Sequence, residues 1–142
     1  MHRFVVQQHF RDAEDWHYDL MLECGEALVT FTCGAPPEDD SRLPALVRQI
    51  GNHRISYLEY QGEVSGGRGW CKIHDRGEFE WIVPSPDACP AARIGETAHP
   101  LEDFIVIRLT GEKLKGAYRL SREPKSGIDY WRMRKERDGV MK

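Results

Sequence analysis

The chain has no C-x-x-C pair, no lysine before Lys72 and no run of about 18 apolar residues. Each absence removes a class of function. Without paired cysteines there is no zinc knuckle and no thioredoxin-like redox motif, and Cys24, Cys33, Cys71 and Cys89 are expected to be free thiols in a reducing cytosol. An oxidising compartment would leave a disulfide open. Without a long apolar run there is no membrane-spanning helix, and Met1-His2-Arg3-Phe4-Val5-Val6 lacks the apolar region of a signal peptide, so a cytoplasmic protein is expected. No window sustains a three-to-four periodicity, which argues against a helical bundle, and no internal repeat argues for a solenoid. The glycine-rich stretch Val64-Ser65-Gly66-Gly67-Arg68-Gly69 lacks the lysine and the spacing of a nucleotide-binding P-loop. It reads either as a plain flexible loop or as a tight connection that brings backbone N–H groups and Arg68 near an anion.

What is present is a succession of short runs rich in Val, Ile, Phe, Tyr and Trp between turn signals. The expected strands are Arg3–His9, His17–Glu23, Ala27–Cys33, Arg54–Tyr60, Gly69–Lys72, Glu78–Val83, Asp103–Leu109, Gly116–Ser121 and Asp129–Arg134. Strands this short and close predict a mainly β fold, a small closed or partly closed barrel with one or two short helices. Ser41 is placed to cap a helix over Arg42–Ile50, with Pro44 in its first turn. His74-Asp75-Arg76-Gly77 reads as a turn, and residues 84–100, rich in Pro, Ala and Ser, read as a surface excursion. At 142 residues and 40% hydrophobic composition, the whole of 1–142 is expected to form one domain with its own core.

A net charge of −3 conceals an asymmetry: residues 1–111 carry 10 Lys+Arg against 18 Asp+Glu, and residues 112–142 carry 10 against 5. The basic segment, with Tyr130 and Trp131 among its cations, suits phosphates and bases or is simply a solvated face.

The chemistry concentrates at His17-Tyr18-Asp19-Leu20-Met21-Leu22-Glu23. At period two, His17, Asp19, Met21 and Glu23 share one face of a strand. An imidazole and a carboxylate two residues apart can hold a common ion, and His9 on a neighbouring strand would complete a set of two histidines and one carboxylate. Such a set leaves coordination positions open, as catalytic metals require. The same pair also suits a simple hydrogen-bonded couple. On the later strand His53, Ile55, Tyr57 and Glu59 are expected to share a face, and Tyr57 reads equally as a barrel tyrosine with a satisfied hydroxyl.

Several motifs occur in one order: Arg3-Phe4-Val5-Val6-Gln7-Gln8-His9, His17-Tyr18-Asp19-Leu20-x-Leu22-Glu23, Arg42-Leu43, His53 with Tyr57, Glu59-Tyr60-Gln61-Gly62, Asp75-Arg76-Gly77, and Gly111-Glu112-Lys113-Leu114-Lys115-Gly116. This order resembles the 3′-phosphoesterase domain of bacterial DNA ligase D, from Arg3 to about Arg134. The resemblance implies a small β-barrel, here as a stand-alone copy, with a manganese-dependent activity that removes a 3′-terminal ribonucleoside and then the 3′-phosphate. Zn2+ or Co2+ would suit the same ligands. It implies His9, His17 and Asp19 as metal ligands and His53 and Tyr57 as phosphate-contacting catalytic residues. It also implies DNA or RNA–DNA 3′ ends as substrates in non-homologous end joining, with a separate repair ligase or polymerase as a partner.

The chain departs from the family pattern, and its spacing between His9 and His17 is two residues longer than the family's. Met21 stands where family members with demonstrated chemistry carry an arginine, and Thr32-Cys33-Gly34-Ala35 occupies the neighbourhood of a family lysine. Arg42 matches a family arginine through an insertion, and Arg54 and Arg68 are the candidate replacements for the missing cations at the substrate phosphate. The alternatives are a non-catalytic module that binds nucleic-acid ends or protein on the same barrel, and a barrel acting on another small phosphate ester.

Overall fold

Alternation builds the architecture. In β1 (His2–Asp12) Phe4 and Val6 join the interior cluster, while Val5 lies in a second cluster on the opposite face. In β2 (Asp15–Cys24) Tyr18, Leu20, Leu22 and Cys24 point inward and Met21 outward. The computed structural model describes residues 2–83, 93–97 and 103–136. Within them follow β3 (Ala27–Cys33), β4 (Ala45–Arg54), β5 (Gly62–Glu63), β6 (Trp70–Val83), β7 (Phe104–Gly111), β8 (Lys115–Arg122) and β9 (Tyr130–Lys135). The sheet runs β1-β2-β3-β4-β9-β8-β7-β6, and β1 then pairs with β6 to close it, while the short β5 pairs with β6 alone. The result is the expected mainly β fold, an eight-stranded antiparallel barrel.

A barrel of this strand number has an interior that side chains can fill. Phe4, Phe31, Phe79, Trp81, Tyr118 and Trp131, each 1% exposed or less, occupy it. The Trp131 indole N–H donates to Gln49 Oε1 at 3.2 Å, so this polar group inside the barrel is paired. A lumen filled in this way leaves the outer wall and the mouths for function.

Four expectations need correction. The helix over Arg42–Ile50 is absent: Asp39 caps a 3-10 turn of Asp40–Arg42, and Ala45–Arg54 is β4, with Val47 and Gln49 buried between exposed Leu46 and Arg48. The strand Arg54–Tyr60 stops at Arg54 and gives way to a 3-10 turn, Ile55–Leu58. That turn folds over the outer wall, where Ile55, Tyr57 and Leu58 pack with Val5, Met21 and Leu28. Gly69–Lys72 and Glu78–Val83 belong to one strand, β6, and His74-Asp75-Arg76-Gly77 lies inside it rather than at a turn. Cys33 and Cys71 are free and buried, but Cys24 is disulfide-bonded. Of the expected surface excursion over 84–100, only 93–97 falls within the described residues.

Asp75 shows why its neighbourhood reads as a motif. Its buried carboxylate accepts the backbone N–H groups of Arg76 at 2.9 Å, Glu112 at 2.9 Å, Lys113 at 3.1 Å and Leu114 at 2.8 Å. The β7–β8 turn is thereby tied to β6. A Cβ on Gly111 would lie 2.5 Å from Asp75 Oδ2 and 2.7 Å from Phe4 Cζ, and one on Gly77 would lie 2.1 Å from the Thr110 oxygen. Both sequence motifs are therefore one structural joint, and its glycines are there for close approach.

Candidate metal centre and cleft

His9 and His17 are direct cross-strand partners on β1 and β2, and Asp19 follows two residues later on the face of His17. One ligand atom from each of the three lies within 4.8 Å of the others, and no other set of this kind occurs among the described residues. His17 Nε2 is 3.2 Å from Asp19 Oδ2 and 3.1 Å from Oδ1. The rings of His9 and His17 meet edge to face at 4.9 Å.

The nitrogen facing the centre is fixed by its opposite number. His9 Nε2 lies 2.8 Å from the Arg68 carbonyl, which only accepts, so Nε2 donates there and Nδ1 is the nitrogen that faces inward. Nδ1 is 3.9 Å from Asp19 Oδ2. Asp19 Oδ1 is buried and, although His17 Nε2 is 3.1 Å away, accepts no hydrogen bond of good geometry. Two imidazoles and a buried carboxylate meeting at one point, with one carboxylate oxygen lacking a well-formed hydrogen bond, fit a shared divalent cation.

Beside the triad lies a cavity of about 20 Å³ bounded by Gln7, His9, Asp19, Met21, His53 and Cys71 among others. It has room for one water or ion. Next to it a cleft of about 590 Å³ opens to solvent, lined by His9, His53, Arg54, Tyr57, Tyr60 and Arg68 among others. His9 and His53 belong to both, so the candidate metal centre sits at the inner end of the cleft.

His53 Nδ1 donates to the Gly51 carbonyl at 2.9 Å, leaving Nε2 as its free ring nitrogen. Burial, above all, holds its pKa below the ordinary value, while the charge of Asp19 and the Gly51 carbonyl act weakly the other way. Tyr57 reaches the site from the 3-10 turn, its ring 5.5 Å from that of His53. His53 and Tyr57 therefore do not share a strand face as expected, although the two side chains do meet. Gln7, which sequence reasoning did not single out, explains how: its Nε2 donates to the carbonyls of Tyr57 and Tyr60, both at 2.8 Å, and so fastens the turn to β1.

Of the three expected phosphate-binding arginines, Arg54 and Arg68 line the cleft, whereas Arg42 sits on the 3-10 turn before β4, paired with Asp39 at 3.8 Å. Arg68 bonds Ser65 through its guanidinium while its carbonyl orients His9. Met21 is 2% exposed, packed with Val5, Leu28 and Leu58 and bordering the small cavity that Asp19 also lines. Segment 93–97 also contributes unforeseen residues: Ile94 and Gly95 line the cleft, held there by Asn52, which bonds the backbone of Arg93, Gly95 and Glu96.

Residues 7–122 match the DNA Ligase D 3′-phosphoesterase domain family, covering the triad, the cleft and the Asp75 joint. The chain belongs to this family. It is 32% identical over 124 residues to the multifunctional non-homologous end joining protein LigD of Mycolicibacterium smegmatis, covering 83% of this chain and 15% of that protein. It is 25% identical over 122 residues to the multifunctional non-homologous end joining DNA repair protein LigD of Mycobacterium tuberculosis, covering 84% of this chain and 14% of that protein. The phosphoesterase-family chain thus spans about one seventh of the length of these relatives.

Proposed function

We propose that this LigD-family barrel is a metal-dependent 3′-phosphoesterase that trims 3′-phosphate or 3′-ribonucleotide ends of DNA in end-joining repair, with manganese as the working ion. The observation that carries the reading is the convergence of His9, His17 and Asp19 within 4.8 Å at the inner end of a cleft bearing two arginines. A divalent cation supplies charge stabilisation at a phosphoryl oxygen and makes water a competent nucleophile near neutral pH. His9, His17 and Asp19 would hold it. The Arg68 carbonyl keeps His9 turned the right way.

The remaining work falls to the cleft. Arg54 makes no ion pair among the described residues, and with Arg68 it meets the negative charge of the phosphate, the role that an arginine at position 21 would have filled. His53, with Nδ1 occupied by the Gly51 carbonyl and its pKa lowered by burial, would take the proton of the attacking water at Nε2 and return it to the 3′-oxygen as the P–O bond breaks. The Tyr57 hydroxyl orients a phosphate oxygen, its ring braced by His53 and Tyr60.

The test is phosphate release from a duplex with a recessed 3′-phosphate, with and without manganese, beside Asp19→Ala. Release that needs the metal and disappears in the variant supports the reading. A folded wild-type protein that binds the end but releases nothing with manganese, zinc or cobalt supports the second reading, a non-catalytic end-binding module. The burial of Met21 where the family carries its clamp is the observation favouring that alternative.

A further inference from the structure

The cleft is larger than its chemistry requires. A phosphate needs the triad, His53 and the two arginines, yet about 590 Å³ is open, a volume in the range of small-molecule sites. Two residues of the lining have no part in holding a metal or a phosphate and are exposed apolar groups. Tyr60 is 39% exposed and Ile94 55% exposed.

Both are held in place. The Tyr60 hydroxyl donates to the Glu63 carbonyl, and its ring stands at 88° to that of Tyr57 with centroids 5.6 Å apart. Its carbonyl is bonded by Gln7. A tyrosine tethered at its hydroxyl, its backbone and one ring edge has lost its rotamer freedom before any ligand arrives, so stacking on it brings little further ordering. Ile94 is fixed through its backbone neighbours: Gly95 N–H donates to the Asn52 carbonyl and Asn52 N–H to the Glu96 carbonyl, both at 2.7 Å, and Asn52 Nδ2 donates to the Arg93 carbonyl at 2.9 Å. Asn52 precedes His53 in β4, so the strand that delivers the candidate catalytic histidine also positions Ile94.

We propose that Tyr60 and Ile94 form a subsite for the nucleobase of the terminal nucleotide, so that the protein takes a phosphate carried on a base-bearing end in preference to the same phosphate on an abasic end. The inference rests on the phosphoesterase reading for the identity of the substrate and adds to it the group that is recognised beside the phosphate. A flat apolar ring and a branched aliphatic side chain suit a π-face without selecting among bases. This arrangement also bears on the loss of the clamp at Met21, because contact with the base supplies affinity that does not depend on the phosphate.

The experiment compares binding of two fluorescent duplexes ending in a 3′-phosphate, one with a terminal base and one with an abasic terminal residue, by anisotropy in the presence of manganese. Wild type is expected to prefer the base-bearing end about tenfold, the order of one stacking contact. Ile94→Ala should bring that ratio toward one while leaving affinity for the abasic end unchanged; Tyr60→Ala, which also removes a brace of Tyr57, should weaken both ends but the base-bearing one about tenfold more, and Tyr60→Phe, which retains the ring, should keep the ratio. A merely structural role would weaken both ends alike. A wild-type ratio near one, or variants that keep the wild-type ratio, overturns the subsite. A preserved ratio in a protein that releases no phosphate overturns the catalytic reading alone and leaves the subsite standing.

Discussion

Replacing Asp75 with alanine should destabilise the barrel severely while leaving the chemistry of the folded fraction intact. Four backbone N–H groups end on its carboxylate, and that of Leu114 lies where the residue is fully buried. An orphaned buried donor costs about 1–3 kcal/mol, and bonds to a charged acceptor lie at the upper end. The amides of Glu112 and Lys113 belong to an exposed turn and regain water, so the four do not add in full. The net loss should be about 3–5 kcal/mol, comparable with removing one partner of a buried charged network. Against a total stability of about 5–15 kcal/mol, this is a large fraction. With a urea slope of about 2 kcal/mol/M, the unfolding midpoint should fall by about 2 M. The measurement is equilibrium urea unfolding by tryptophan fluorescence, paired with manganese-dependent phosphate release well below the midpoint. A loss under about 1 kcal/mol would mean that the turn is held by something other than the carboxylate. Activity lost in protein still folded would mean that Asp75 belongs to the chemistry.

Gly77→Ala, whose Cβ would meet the Thr110 oxygen at 2.1 Å, should be at least as damaging in the same titration, because the neighbour is backbone of a paired strand. Arg54→Ala and Arg68→Ala should each raise KM for a 3′-phosphorylated duplex about tenfold or more, the order of one charged hydrogen bond, whereas Arg42→Ala, outside the cleft lining, should leave it unchanged. Met21→Arg, restoring the family's residue type, should cost about 2–4 kcal/mol in urea unfolding without raising phosphate release, since the new charge is buried among Val5, Leu28 and Leu58. Glu23 is held below its ordinary value of 4.5, first of all by the Arg3 side-chain hydrogen bond. A depressed folded pKa stabilises above the unfolded value and ceases to do so as pH falls through the folded one. The stabilities of wild type and Arg3→Ala should therefore differ at neutral pH and converge in acid.

The parts of the fold legible in the sequence were those governed by a strict period. His17, Asp19 and Met21 alternate with Tyr18, Leu20 and Leu22, and a one-residue slip would have buried the triad in the lumen, so the face of the metal centre followed from pattern alone. Around His53 local pattern ran out. Ile55, Tyr57 and Glu59 alternate as a strand would, but the Ile55–Leu58 segment gains more by covering the apolar outer face of Val5, Met21 and Leu28, a surface that only closure of the barrel creates. Asp75 misled for a related reason. Asp-Arg-Gly has turn composition, and nothing local reveals that its carboxylate is satisfied by a turn 37 to 39 residues away. Segment 93–97 carries no chemical signal at all, and its place at the cleft depends on backbone bonds to Asn52.

The position of Met21 joins these observations. It shares a face with Asp19 and is two residues further along β2; both border the small cavity beside the candidate metal centre, and Met21 also packs with Leu58 of the 3-10 turn that covers the same wall. Met21 therefore stands at the boundary between polar site and apolar cover. The turn needs an apolar floor at position 21, and it is this turn that carries Tyr57 to His53 and leads directly to Tyr60. A cation at position 21 would have to displace the floor that positions the tyrosines. Cationic contact must then come from segments that do not share the floor, and Arg54 at the end of β4 and Arg68 in the glycine-rich loop are the arginines that border the cleft among the described residues.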